Sequence, residues 1–105
     1  MPTMQDSVSV GANSVSTNVL AGKLYEFIPP GTNVTLSVTG SATGLRITFI
    51  CGVPLINDEA INLQNRFPLI PDDVVHGGRV PGSRMILTAR NTTGGALTFF
   101  WRVDL

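Results

Sequence analysis

Charge is scarce in this chain, cysteine almost missing, and long apolar runs absent. Only 13% of its residues are charged, against about 25% in ordinary globular domains. Seven acidic and seven basic residues cancel. No net field draws the chain to nucleic acid or to an acidic membrane surface. The single cysteine, Cys51, excludes an intrachain disulfide and gives no sign of an oxidising compartment. No apolar run approaches the roughly 20 residues that span a bilayer. The first residues, Met1 to Ser9, lack the basic and apolar regions of a signal peptide. Without a secretory route the sequons at Asn33 and Asn91 are chance matches in a Thr-rich chain.

What is present is apolar and uncharged-polar. Apolar residues make up 43% of the chain, and mean hydropathy is +0.26. A small soluble domain keeps much of its surface in water, and this one is short of a charged shell. Burial of part of that surface against other chains is the expectation, which points to an assembly component. Six of the seven basic residues are arginine, the cation that interfaces favour, whereas lysine is depleted there.

Period-two alternation dominates the pattern. Val34, Leu36 and Val38 alternate with Thr35, Ser37 and Thr39. Leu45, Ile47, Phe49 and Cys51 form a second run, Met85, Leu87 and Ala89 a third, and Leu97, Phe99, Trp101 and Val103 a fourth. A less regular strand is expected around Lys23–Ile28, and one or two more among Val8, Val10, Val15 and Val19. Pro29-Pro30-Gly31 reads as a turn. Gly40–Gly44 and Asn91–Gly95 read as hairpin loops. The expected fold is all-β: a single domain over residues 1–105, an antiparallel β-sandwich or jelly-roll-like barrel of about six to eight short strands. No convincing helix is expected beyond a turn or two in Asn57–Asn65.

The segment Gly52–Gly82 stands apart. It holds four of the seven prolines and shows no sustained alternation. Its apolar content, including Leu55, Ile56, Phe67 and Val74, argues against disorder. It reads as a long Pro-rich loop ordered on the sandwich or on a neighbouring chain, or as a connection with one short strand inside.

Chemistry is thin. His76 follows Asp72 and Asp73, but there is no second histidine to complete a metal site, so a solvated loop is expected. Asp58-Glu59 reads as a solvated or capping pair rather than two catalytic acids. No nucleophile elbow and no phosphate loop followed by a helix is present. Cys51 is in phase with the core, as is Trp101, while Tyr25 has the opposite parity to Leu24 and is a thin basis for sugar stacking. The expectation is a non-enzyme with no catalytic residue, metal or cofactor.

Three apolar residues have outward parity among polar neighbours: Ile50, Ile86 and Phe100. Together they would make an interaction patch, with Arg46, Arg84 and Arg102, of the same parity, as its polar contacts. In short length, Thr/Gly/Asn-rich strands, ordered Pro-rich loop, strand-forming end at Leu97–Leu105 and lack of a catalytic set, the chain resembles the small all-β decoration or cement proteins of tailed-phage capsids. That resemblance implies a homotrimer on the capsid surface, with the major capsid protein as partner, that is made in the host cytoplasm and stabilises the shell. A carbohydrate-binding β-sandwich module and a small capsid or tail subunit are the alternatives.

Overall fold

The strands are laid down by alternation, and alternation needs two faces. A computed structural model describes residues 3–61, 65–68 and 72–105. Seven strands form: β1 (Thr3–Val10), β2 (Asn33–Gly40), β3 (Leu45–Cys51), β4 (Val53–Ala60), β5 (Val74–Arg79), β6 (Ile86–Asn91) and β7 (Leu97–Asp104). All pairings are antiparallel. A four-stranded sheet runs β1-β7-β2-β5, and a three-stranded sheet runs β4-β3-β6. No helix occurs among the described residues.

The two sheets enclose one apolar cluster. Val34, Leu36 and Val38 of β2 and Phe99, Trp101 and Val103 of β7 come from one side. Leu45, Ile47, Phe49 and Cys51 of β3, with Leu87 and Ala89 of β6, come from the other. Each set occupies every second position, as the pleat requires. The cost of this pattern is that it says which residues face in, but not which sheet each strand joins.

There the sequence reading needs correction. Gly40–Gly44 and Asn91–Gly95 are not hairpin loops. The first carries the chain from β2 in one sheet to β3 in the other, and the second carries it from β6 back to β7. The tight hairpin is β3–β4, where Cys51 pairs with Val53 around Gly52 at φ +81°. Side chains hold the crossings. Asn91, buried, donates from its amide nitrogen to the Val10 and Gly95 carbonyls, and its amide oxygen accepts from the Thr93 N–H. Thr92 donates to the Gly44 carbonyl at 2.8 Å.

The Pro-rich segment is also more regular than its sequence suggests. It contains β4 and β5, and the expected helical turn after Asn57 is strand β4 up to Ala60. Arg66 and Phe67, in the connection between them, pack on the outer face of the four-stranded sheet. Thr39 Oγ1 donates to the Arg66 carbonyl, Phe67 meets Phe100 edge-on with ring centroids 5.1 Å apart, and Arg66 pairs with buried Asp73 at 3.3 Å. Arg66, Phe67 and Asp73 of the segment therefore have contacts within the chain's own sandwich. Residues 62–64 and 69–71 lie outside the described set.

The expected strand at Lys23–Ile28 does not form. Turns take its place, with Gly22 at φ +75° and the Glu26 N–H donating to the Lys23 carbonyl. Leu24 consequently projects into solvent, while Tyr25 packs half-buried against the core. Residues 13–19 run along β6 as a substitute strand. The Ser16 and Val19 N–H groups donate to the Ala89 and Leu87 carbonyls, and Asn18 Oδ1 accepts from the Leu87 N–H at 2.9 Å. This covers an edge that would otherwise offer unpaired donors and acceptors.

Candidate functional site

The outer face of the three-stranded sheet gathers most of the outward-parity residues. Ile50 lies opposite Ile86 across β3–β6 and opposite Pro54 across β3–β4. An apolar row thus crosses all three strands. Two residues before Ile86, Arg84 bridges to Phe27, and its guanidinium carbon sits 5.8 Å from that ring centroid. Phe27 is 65% exposed and Val53, beside the hairpin, is 49% exposed. The apolar row therefore continues toward exposed apolar side chains at that end of the sheet. Thr48 and Thr88, opposite each other, form a polar belt along the middle.

The other end is cationic and carries a cleft. Arg46 and Arg90 face each other directly across β3–β6. Asp58 holds them together. Arg90 grips it with two hydrogen bonds, Nε to Oδ1 at 2.9 Å and Nη2 to Oδ2 at 2.6 Å. Arg46 Nε donates to the Asp58 backbone carbonyl at 2.8 Å. Two register shifts disturb the β3–β4 pairing here, and Asp58 sits at φ 51°, the left-handed region. Few non-glycine residues adopt it, Asp and Asn more readily than others. The fork from Arg90 holds the Asp58 carboxyl below the usual carboxylate range, with Arg46 adding to the effect, and Asp58 in turn raises Arg90. Around this triad lies a cleft of about 490 Å³, with Thr43, Thr92, Leu45, Ala60 and Ile61 in its walls.

The single patch expected from parity is therefore two faces. Ile50, Ile86, Arg46 and Arg84 share the outer face of the three-stranded sheet. Phe100 and Arg102 lie on β7 in the opposite sheet. Phe100 is half-buried beneath Phe67, and Arg102 donates from Nε to buried Asp104 at 3.0 Å. Parity alone cannot separate the faces, because both point away from the core.

The remaining candidates also find their places. His76 is on β5, not in a solvated loop. It pairs in register with Leu36, its ring stands 5.6 Å from Phe49, and its Nε2 is buried without a hydrogen-bond partner. Among the described residues no three metal-ligating side chains converge. Asp58 bonds to arginines and Glu59 is exposed, so the two acids do not act as a pair. Cys51 is buried, and burial pushes its thiol up. Trp101 is 1% exposed. A second cleft, about 310 Å³, reaches Trp101 between Asp6 and Lys23, whose side chains pair at 3.1 Å. The Lys23 ammonium lies 6.0 Å from the indole centroid, so the ring offers no open face for a sugar.

Sequence reasoning missed Phe27 and Arg90. Arg90 was readable, since it ends the same alternating run as Arg84; Phe27 was assigned to a strand that does not form. Compared with known proteins, the chain matches no family model, no curated protein and no solved structure.

Proposed function

We propose that this chain is a non-enzymatic structural protein that works by docking on other protein chains, as a decoration or cement protein of a phage capsid. The observation that carries the reading is the outer face of the three-stranded sheet. It presents the Ile86–Ile50–Pro54 row and, at its end, exposed Phe27. The charge beside the apolar end of this face is paired, Arg84 with Glu26 at 2.8 Å. Such a surface loses little on desolvation and gains from apolar burial, about 1.5–3 kcal/mol for each large side chain fully covered. Trimeric self-association and the major capsid protein as partner rest on the resemblance in composition and strand pattern. Buried Trp101 supports this reading over carbohydrate binding.

Ile50→Asp tests it, because an unpaired charge on a buried seam costs several kcal/mol. Light scattering of the parent should give a multiple of 11.2 kDa, and the variant should be folded by circular dichroism yet monomeric and unable to decorate its particle. A monomeric parent at high concentration, together with normal particle binding by Ile50→Asp, would sink the proposal.

A further inference from the structure

Two of only seven basic residues face each other across β3–β6. Like charges directly opposite destabilise a sheet unless something negative lies between them. Asp58 supplies one negative charge to two positive ones, and it does so from a backbone conformation that is uncommon outside glycine. The pairing also leaves donors over. Arg46 uses Nε on the Asp58 carbonyl, and among the described residues no hydrogen bond reaches its two terminal nitrogens; Arg90 likewise keeps Nη1 without one.

We infer that the cleft between Arg46 and Arg90 binds an oxyanion, a carboxylate or phosphate group carried on a short apolar stem. The planar guanidinium of Arg46 presents its terminal nitrogens as a fork that fits two oxygens of such a group. The Thr43 and Thr92 side chains add polar lining, while Leu45, Ala60 and Ile61 give an apolar wall for the stem. The volume, about 490 Å³, lies within the range of small-ligand sites. Among the described residues no aromatic side chain lines the cleft, so the charged group, not a stacked ring, is what it recognises. The site stands whether or not the apolar end of the same face docks on a shell.

The test is a titration of ¹⁵N-labelled protein with glutarate and, separately, with inorganic phosphate, each matched by sodium chloride at equal ionic strength. Saturable shifts are expected at the Arg46 and Arg90 Nε–H signals and at the amides of residues 43–46 and 90–92. A response to glutarate identifies a carboxylate ligand, and a response to phosphate a phosphoryl one. Arg46→Gln should weaken binding by about tenfold or more, the loss of a charge-assisted hydrogen bond. Arg46→Lys, which keeps the charge but not the fork, should weaken it too, and it guards against misfolding of the first variant. Shifts that follow chloride without saturating, or full affinity in either folded variant, would overturn the inference.

Discussion

Gly52 and Gly82 cross with their backbones in contact. A Cβ on Gly82 would lie 2.3 Å from the Gly52 nitrogen, and one on Gly52 would lie 2.7 Å from the Gly82 nitrogen. The Gly82 N–H donates to the Cys51 carbonyl at 3.1 Å. This contact ties the β3–β4 turn to the approach to β6. Gly82→Ala must therefore push backbone against backbone, and it should destabilise by about 1–3 kcal/mol or more. Gly94→Ala, where an added Cβ meets nothing within 4 Å, is the control. Urea midpoints of the two variants should differ clearly; equal midpoints would mean that the crossing is looser than described.

Trp101 is among the largest fully buried side chains and sits in the central strand pair β7–β2. Trp101→Ala should cost about 3–5 kcal/mol, much of the roughly 5–15 kcal/mol available to a domain. A melting temperature within a few degrees of the parent would remove Trp101 from the core.

Phe100 has the parity of a seam residue but the contacts of a support. Its ring backs Phe67, next to Arg66, whose carbonyl accepts from Thr39 of the four-stranded sheet. Phe100→Asp should loosen that packing and leave the mass in solution unchanged. Trypsin should cleave at Arg66 several-fold faster than in the parent. An unchanged cleavage rate, with a smaller mass, would make Phe100 an intermolecular contact instead.

The acids give the fold a pH dependence of definite sign. Glu26 is held below the ordinary carboxylate range first by the Gly22 N–H and then by Arg84, Asp6 first by the Ser7 N–H and then by Lys23, and Asp58 chiefly by Arg90. The folded state therefore binds protons more weakly than the unfolded chain. The resulting stability is fully present above the unfolded carboxylate values of about 4, and it is lost as pH falls through the lower folded ones. Thermal melts should be flat from about pH 7 to 5 and fall toward about pH 3, and Glu26→Gln should reduce the fall. A melting temperature that rises on acidification would contradict these pairings.

Alternation carried most of the interior. Residues read as inward from parity, such as Leu36, Phe49, Leu87 and Val103, are all fully buried. What alternation could not carry was sheet membership. A five-residue link such as Gly40–Gly44 serves a hairpin or a crossing between sheets equally well, and the difference lies in side-chain bonds like that from Thr92 to Gly44. The Pro-rich segment reads as a loop or as a connection with one short strand, and it holds two, β4 and β5, because both are edge strands whose irregular pairings blur the alternation. The Arg46–Asp58–Arg90 triad depends on such an irregularity, so the nearness of Asp58 to the two arginines has no trace in spacing.

Strand β7 lies between β1 and β2, so the last strand in the chain is the centre of the four-stranded sheet. During synthesis β1 emerges first and has no other sheet neighbour, whereas β3, β4 and β6 are all made before β7 begins. The three-stranded sheet can form on the ribosome; the four-stranded sheet cannot be completed until residues 97–104 have left it. Closure of the four-stranded sheet is thus the last step of this fold to become possible. The chain's exposure to wrong partners is set by how quickly the final strand slides between two that have been waiting for it.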